Sequence, residues 1–544
     1  MLKQADLALF SENIYTVKDE STIAGGVAVS GNTIIKVGSK LEIEPLIGAG
    51  TKVFDMGDSI IMPGFIDAHT HIEGPVNRKH RAGLFNLSSK EECASVIKEW
   101  ADNHPNHEWV LGLGWNFADW ENHDFPTKEI LDAAVPNRPV YLQDSDYHNG
   151  WFNSKALELL GINKDTPVNE KGGIIHKYKS GEPTGFVQDG YVFDADALTV
   201  HRVIEENPEE YMRESINTHI EFGITAINEM YPRKHGDVLI NYLGQLEQAS
   251  ELNLRVFFHY SSFENTIEEL KKGREQYRSD KFRMNGAKIF LDGVWTTHSA
   301  ALLSPYADMP EFIGKLSHTP EELLENILLI DKERFYIRVH CSGDRAARVT
   351  LDAYEAAIKQ NPPWDRRHSI EHNDLIHPDD LRRYADLGVI ANVTPCFITP
   401  TAKWKNNPVF YIYNESQLSE AWRFKSLIDS GAAVTYGADC LGGSINPFEQ
   451  IYLGLTRIAQ DGEPQGGFMP EEKVSVKEAI RCYTINGAFE IGMEDKLGTL
   501  ESGKLADIIV LDRNFLVAPV KELLDTKVLL TVLDGQVVYE RKRL

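Results

Sequence analysis

The stretch PGFIDAHTH, residues 63–71, decides how this chain folds and which chemistry it supports. It closes the apolar run IIMPGFIDAH, which predicts a strand that carries His69 and His71 at its end. Side chains alternate along a strand, so both imidazoles are expected on one side. Two neutral imidazoles on one face suit a divalent cation such as zinc. The spacing is a weak signal by itself, because 18 histidines in 544 residues give His-x-His about 0.6 times by chance.

Apolar, β-branched runs alternate with helical patterns through the middle of the chain. Helical periodicity is clearest in EELLENILLIDKE before the fifth run and in AARVTLDAYEAAIKQ after it. Eight such βα units predict an α/β fold with a TIM-type (β/α)8 barrel over residues 63–495. The runs are IIMPGFIDAH, GITAINEM, LRVFFHY, GAKIFLDG, FYIRVH, HSIEH, GVIANVT and AAVTYGAD.

The two ends of the chain share another pattern. Residues 1–62 read as short strands broken by turns, and residues 496–544 repeat that style, with a hairpin signal at Asp534-Gly535. Neither end has enough apolar residues for a core of its own, so we expect both to form one small β-sandwich domain. About residues 72–220 are too many for one βα connection and predict an inserted subdomain.

Composition excludes several partners. The net charge is −25 with a pI near 5.2, and no run of lysine and arginine is long enough to follow a nucleic-acid backbone. The sequence contains no 18-residue apolar stretch that would indicate a membrane span, and its first 15 residues lack the apolar core of a signal peptide. Five dispersed cysteines without CxxC spacing are typical of free thiols, so we expect a cytoplasmic protein.

Four further residues with metal-binding or proton-transfer chemistry fall at the ends of predicted strands. Lys288 lies in the fourth run, His340 closes the fifth, His372 the sixth and Asp439 the eighth. The active sites of such barrels lie at the carboxyl ends of the strands. We therefore expect these side chains to meet His69 in one site.

An ordered set of segments is similar to the YtcJ-like branch of the amidohydrolase superfamily, which includes N-substituted formamide deformylases. The similarity covers nearly the whole length. Two positions depart from the family pattern: Asp189 replaces a glutamate, and CLGGSINPF replaces a proline-containing turn. The matching segments are PGFIDAHTH, DSDYHNGWFNSKAL, GEPTGFVQD, GAKIFLDG, VHCSGDRAARVTLDAYE, RHSIEHNDLIHPDDL, TYGAD and KLGTLESGKLADIIVLD.

The resemblance implies a role for each candidate. His69 and His71 would bind the more buried of two metals, and His340 and His372 the second. Lys288 would be carbamylated and bridge both, although a free lysine that neutralises carboxylates beside one ion is the alternative. The remaining candidates are Asp439, which would contact the buried metal and transfer protons, and His148, which would hydrogen-bond the substrate carbonyl.

This ligand set implies metal-dependent hydrolysis of an amide-type C–N bond in a small molecule. Zinc suits the histidines, although manganese or iron is possible, and the resemblance implies a homodimer. A deaminase is the first alternative, but the glutamate that such enzymes carry after the fifth-strand histidine is absent from HCSGDRAA. A non-catalytic scaffold or regulatory protein and a phosphotriesterase-like enzyme remain as further alternatives.

Two tryptophans are candidates for substrate contact. Trp295 lies in the loop after the fourth run, and Trp115 belongs to an aromatic cluster with Trp109, Phe117 and Trp120. That cluster fits either a substrate pocket or the core of the inserted subdomain. Asp67 and Glu371 adjoin the histidines and are interpreted as carboxylates that orient ligands, not as ligands.

Overall fold

Three β-sheets organise the chain in a computed structural model. It describes residues 4–19, 21–120, 124–145, 147–170, 173–233, 236–399, 404–440 and 442–542. One eight-stranded sheet is entirely parallel, a seven-stranded sheet lies in the inserted segment, and a second eight-stranded sheet uses both ends of the chain.

The parallel sheet forms the barrel, whose strands we number 1 to 8 in chain order. Each strand pairs in parallel with its neighbours, and strand 8 returns beside strand 1. The predicted (β/α)8 fold is therefore confirmed. The strands are Phe65–Thr70, Ile224–Arg233, Arg255–Ser261, Phe282–Phe290, Tyr336–Cys341, Ser369–His372, Ile390–Val393 and Val434–Tyr436.

The first predicted run is wrong in one respect, because it divides between two sheets. Ile60–Pro63 pairs with Ala5–Ile14 and Ile508–Leu511 in the terminal sheet, and barrel strand 1 begins only at Phe65. Gly64 lies at the division, where a β-carbon would stand 2.2 Å from Oγ1 of Thr225. Only glycine allows this close approach, so one apolar run serves two sheets.

Helices surround the barrel and connect its strands. Both predicted helices that flank strand 5 are confirmed, and Thr319 and Glu322 form a capping box at the start of the first one. No helix of the described ranges is long and apolar enough to cross a membrane. The surrounding helices are Pro208–Glu221, Val238–Gln248, Ile267–Gln276, Pro320–Lys332, Asp344–Gln360, Pro378–Leu387, Phe424–Asp429, Pro447–Thr456, Val476–Tyr483 and Ile485–Glu490.

The terminal sheet joins the two ends of the chain. The predicted hairpin is present, with Asp534 and Gly535 at φ 53° and 77° between antiparallel strands. Its strands run, in spatial order, Gln536–Glu540, Val528–Leu533, Ile508–Leu511, Ile60–Pro63, Ala5–Ile14, Ile23–Ser30 and Thr33–Gly38, and Ile47–Asp55 also pairs with Ala5–Ile14. A buried ion pair between Arg255 of strand 3 and Asp507 ties the barrel to this sheet.

The segment between strands 1 and 2 builds the remaining sheet. In spatial order its strands are Asn169–Glu170, Gly173–Lys177, Pro183–Gln188, Asn149–Phe152, Val140–Asp144, Val110–Trp115 and Ala82–Gly83. Its helices are Gly74–Asn77, Lys90–Asn103, Lys128–Ala134, Ser154–Leu159, Tyr191–Leu198 and Val200–Glu206. Residues from this segment reach the cavity at the barrel mouth.

Candidate metal centre

The six metal-ligand candidates from the sequence all line one cavity at the carboxyl end of the barrel. His69, His372 and Asp439 each offer a ligand atom, and these three atoms lie within 4.8 Å of one another. His71 joins them, with Nε2 3.0 Å from Oδ1 of Asp439. The His340 ring lies 4.2 Å from the His372 ring, measured between centroids. Donors from strands 1, 5, 6 and 8 therefore converge on one point.

Three of these histidines each have a carboxylate next to Nδ1, on the side of the ring opposite to Nε2. Nδ1 of His69 lies 2.6 Å from Oε2 of Glu371, which fits the orienting role predicted for that glutamate. Nδ1 of His340 lies 3.0 Å from Oδ1 of Asp292. Nδ1 of His71 lies 3.8 Å from Oε1 of Glu229. A carboxylate at Nδ1 directs the Nε2 lone pair toward the cavity, which is the orientation that a metal ligand needs.

Sequence reasoning missed Glu229 and Asp292. Both stand within predicted strand runs, in GITAINEM and GAKIFLDG, so an acidic residue near a strand end was the available signal. Asp292 also accepts hydrogen bonds from the backbone N–H groups of Ser342 and Gly343. It therefore fixes the loop after strand 5 as well as the His340 ring.

Burial determines the protonation of most of these histidines. It lowers the pKa of His69, His340 and His372, which favours the neutral imidazole that binds cations. His71 behaves differently: burial opposes its charge, but hydrogen bonds to Asp439 and Glu229 outweigh burial and raise its pKa to about 9.

Lys288 is the most unusual group in the cavity. Its Nζ is buried and makes no hydrogen bond within the described part of the chain, and it lies 5.1 Å from the Phe290 ring centroid. Burial lowers its pKa and so favours the uncharged amine. A buried lysine whose pKa is lowered fits a site for divalent cations, since only an amine without its proton can add CO₂.

The backbone at the ends of strands 6 and 8 is in an uncommon conformation. His372, Asn373 and Asp439 have φ angles of 74°, 53° and 44°, in the left-handed region that residues with a β-carbon rarely adopt. The Asp439 amide donates to the His69 carbonyl oxygen at 2.7 Å and so ties strand 8 to strand 1. Such conformations persist where the surrounding structure holds side chains in position for a function.

The cavity has two chemically different walls. The end of strand 4 and the loops after the barrel strands supply apolar side chains, namely Phe290, Val294, Trp295 and Phe397. The inserted segment supplies polar side chains, namely Asn77, Gln143, Tyr147, His148, Asp196 and His201. The cavity thus offers both apolar contacts and hydrogen bonds.

Two histidines of the polar wall are each held by a carboxylate. Nδ1 of His148 lies 2.5 Å from Oδ1 of Asp189, and the His148 ring stands 6.0 Å from the His340 ring. Nδ1 of His201 lies 2.8 Å from Oε2 of Glu73. The sequence pointed to His148 but not to His201, which lies in a helix without a recognisable motif.

The two candidate tryptophans have different surroundings. Trp295 lines the cavity and stacks on Tyr413 at 5.4 Å. Trp115 is fully buried in the core of the inserted segment, packs against Trp120 and Trp151, and donates from Nε1 to the Leu142 carbonyl oxygen. Alternation along its strand turns the indole into that core, and Trp115 is not among the residues that line the cavity.

In HCSGDRAA, residues 340–347, all of which the structure describes, no acidic residue lines the cavity. Asp344 stands at the start of a helix, and its Oδ1 accepts a hydrogen bond from the Leu303 amide at 2.8 Å. The general acid that the deaminase alternative requires is therefore not supplied by this carboxylate.

A parallel barrel with histidines, a lysine and an aspartate at its strand ends is the architecture of a metal-dependent hydrolase. The chain belongs to the Amidohydrolase family, because the profile of that family matches residues 52–539. This membership confirms the resemblance seen in the sequence.

Known proteins resemble the chain over nearly its full length. Protein LONG AFTER FAR-RED 3 of Arabidopsis thaliana is 28% identical over 524 residues, which cover 94% of this chain and 88% of that protein. N-substituted formamide deformylase of Arthrobacter pascens is 27% identical over 559 residues and 99% of both chains. An uncharacterized metal-dependent hydrolase from Pyrococcus horikoshii OT3 has the same fold, with a TM-score of 0.74, 23% identity, and coverage of 95% of this chain and 99% of that one.

Proposed function

We propose that this chain hydrolyses an amide-type C–N bond of a small molecule with the help of one or two divalent cations. One observation carries the proposal: buried imidazoles, the Asp439 carboxylate and the buried Lys288 amine converge in a single cavity. The N-substituted formamide deformylase relative, which matches 99% of this chain, supports the same type of bond. The residues that would hold the cations are His69, His71, Lys288, His340, His372 and Asp439.

Lys288 would hold a cation only after modification. Without its proton, the amine would attack CO₂: a C–N bond forms as one C=O π bond opens, one proton leaves, and the product is a carbamate with two oxygen ligands. Zinc fits the imidazole donors best, and manganese or iron are alternatives. A bound cation supplies Lewis acidity, which polarises a carbonyl and makes water nucleophilic at neutral pH.

Asp439 is proposed to move the proton that the reaction requires. Burial would raise its pKa, but the surrounding histidines, His69 first, hold the pKa well below its ordinary value, so the carboxylate is ionised. It would accept a proton from the attacking water as the C–O bond forms. It would then give that proton to the nitrogen as the C–N bond breaks, so that the amine leaves uncharged.

His148 is proposed to hydrogen-bond the carbonyl oxygen on which negative charge develops. Its ring stands on the polar wall, and Asp189 at Nδ1 stabilises a protonated imidazole. A protonated ring can donate from Nε2 to the oxygen while Nδ1–H donates to Asp189. Asp189 is then a positioning residue that acts through His148.

The two walls indicate the kind of substrate. We propose a small molecule with an apolar portion that contacts Trp295 and Phe397, and a hydrogen-bonding portion that faces Tyr147 and His201. N-acylated amines with an apolar substituent have this character, and they also carry the bond that the centre would cleave.

The proposal extends to the cellular compartment and the oligomeric state of the enzyme. Five cysteines without disulfide partners support a reducing compartment, for which we propose the cytoplasm. A homodimer rests on the resemblance alone, and the molar mass in solution measured by light scattering would test it.

Elemental analysis for metals is the first experiment, paired with intact mass measured under native conditions. Near two metals per chain with the added mass of one CO₂ would support the centre with a modified Lys288. N-formyl and N-acetyl amines would then be screened for release of free amine. Release of ammonia from aminopurines or aminopyrimidines, without amide cleavage, would replace the proposal by a deaminase.

A further inference from the structure

A line of charged and polar residues lies inside the barrel beneath the candidate metal centre. Arg338, Ser369, Glu371, Thr435 and Glu490 are all fully buried. Branched apolar side chains usually fill the interior of such barrels. Removing charges from water is costly unless they are paired and hydrogen-bonded, so this arrangement calls for an explanation.

The line begins at a candidate metal ligand. Glu371 binds Nδ1 of His69 through Oε2, and its other oxygen accepts a hydrogen bond from the Ser369 hydroxyl. That hydroxyl oxygen lies 3.3 Å from Nη1 of Arg338. Arg338 precedes His340 by two residues, so both lie on the same face of strand 5. Arg338 therefore lies on the side of the His69–Glu371 pair that faces away from the metal centre.

Glu490 is the far end of the line. It closes the helix Ile485–Glu490, which follows the last barrel strand. Nη2 of Arg338 donates to its carbonyl oxygen at 2.7 Å, and Nε of Arg338 lies 3.6 Å from its Oε1. Its Oε2 accepts a hydrogen bond from the Thr435 hydroxyl at 2.6 Å. The glutamate thus contacts Arg338 through both backbone and side chain.

This arrangement links one guanidinium to two carboxyl groups, directly to that of Glu490 and through the Ser369 hydroxyl to that of Glu371. If the Glu490 carboxyl were replaced by an amide, Arg338 would lose that carboxyl as a partner and keep its link to Glu371. Arg338 would draw Glu371 away from His69 and reduce the electron density at the Nε2 of His69. An Nε2 with less electron density binds a cation more weakly.

We infer that Glu490 is a positioning residue of the metal centre, which acts through Arg338 and Glu371 to hold His69 as a strong ligand. The inference rests on the metal centre proposed above. It adds to that centre a helix-terminal residue that touches neither cation nor substrate.

The test is the zinc dissociation constant of the full-length protein, measured by competition with a chromophoric chelator. Glu490→Gln is expected to weaken zinc binding about tenfold, the lower end of the range for residues that orient metal ligands. Asp507→Asn is the matched control, because it breaks another buried ion pair, in which Asp507 lies 2.6 Å from Arg255. The control is expected to lower the melting temperature but to keep the wild-type zinc affinity.

A milder variant covers the case in which Glu490→Gln does not fold. Thr435→Val removes the hydroxyl that donates to Glu490 and accepts from Asn392, and it is expected to weaken zinc binding in the same direction by a smaller factor. Unchanged zinc affinity in a folded Glu490→Gln protein, or an equal loss in Asp507→Asn, would overturn the inference. Failure of the wild-type protein to bind zinc, manganese or iron would instead overturn the metal centre itself.

Discussion

Nδ1 of His148 lies 2.5 Å from Oδ1 of Asp189, and the Asp189 amide donates back to the His148 carbonyl oxygen at 2.7 Å. The two residues thus hold each other by side chain and backbone. Asp189 adopts a φ angle of 49°, an uncommon value for a residue with a β-carbon. The contact is specific enough to make Asp189, which lies behind His148, an informative position for substitution.

We expect Asp189→Asn to lower kcat at least about tenfold with little change in KM. The amide removes the charge that stabilises protonated His148, and loss of a donor to the developing oxyanion slows only the chemical step. Asp189→Glu restores the carboxylate and should recover part of the activity. Steady-state kinetics on the best N-acyl amine would decide, and a rise in KM without a fall in kcat would contradict the role.

Replacement of Asp439 by asparagine separates proton transfer from metal binding. Asparagine tolerates the left-handed backbone at this position and keeps an oxygen in place, so the metal content should stay near that of the wild type. Without an ionised carboxylate, kcat is expected to fall by about 10²- to 10⁴-fold.

His340→Ala is the companion variant, since it should lose metal as well as activity. Zinc per chain and kcat would be measured on the same preparations of both variants. Unchanged turnover in Asp439→Asn would exclude this residue as the proton carrier.

Lys288→Ala should abolish activity, and short carboxylic acids such as acetate or propionate should restore part of it. The acid would occupy the space of the missing side chain and supply the oxygens that the carbamate provides. Lys288→Met is the control, because its side chain fills that space and leaves no room for an added acid. Equal responses of the two variants to propionate would argue against a carbamate.

The sequence predicted the barrel and its central donors because both depend on local order. Strand alternation places His69 and His71 on one face, and the ends of parallel strands meet at one edge of the barrel. The supporting carboxylates Glu229 and Asp292 depend instead on which side chains meet across strands far apart in the chain. Spacing within a single sequence does not specify such contacts.

Contacts within the inserted segment could not be predicted from the sequence for the same reason. His201 and Glu73 are 128 positions apart, and neither belongs to a motif that would pair them. Alternation assigned Trp115 to one face of its strand, but it could not tell whether that face met substrate or other side chains. Gly64 was also unpredictable, because its close approach to Thr225 exists only once the barrel has closed.

Trp115 and Trp295 form a pair of variants that separates stability from binding. Trp115→Ala should destabilise the inserted segment by roughly 3–5 kcal/mol, since it leaves a cavity and removes a buried hydrogen bond. Trp295→Ala also loses packing, but it alone should raise KM, by about tenfold or roughly 1.4 kcal/mol. The melting temperature and KM of both variants would be compared. A higher KM in Trp115→Ala would support a contact between Trp115 and the substrate.

The buried carboxylate of Asp331 leads to a prediction about the stability of the fold at acid pH. It is fully buried and accepts hydrogen bonds from Trp364, Arg366, His368 and Asn361. Burial alone would raise its pKa, but the donors, His368 and Arg366 first, hold the pKa well below its ordinary value. Because breaking a buried, paired carboxylate is costly, Asp331→Ala should lose roughly 3–5 kcal/mol at neutral pH.

The effect of pH follows from the sign of that shift. A carboxyl group with a lowered folded-state pKa stabilises the fold fully above its unfolded pKa of about 3.9. This contribution is lost as the pH falls below that value toward the folded-state pKa. In melting curves from pH 7 to pH 3, the difference in melting temperature between the wild type and Asp331→Ala should therefore shrink below about pH 4. A constant gap over that range would mean that Asp331 contributes through packing, not through its charge.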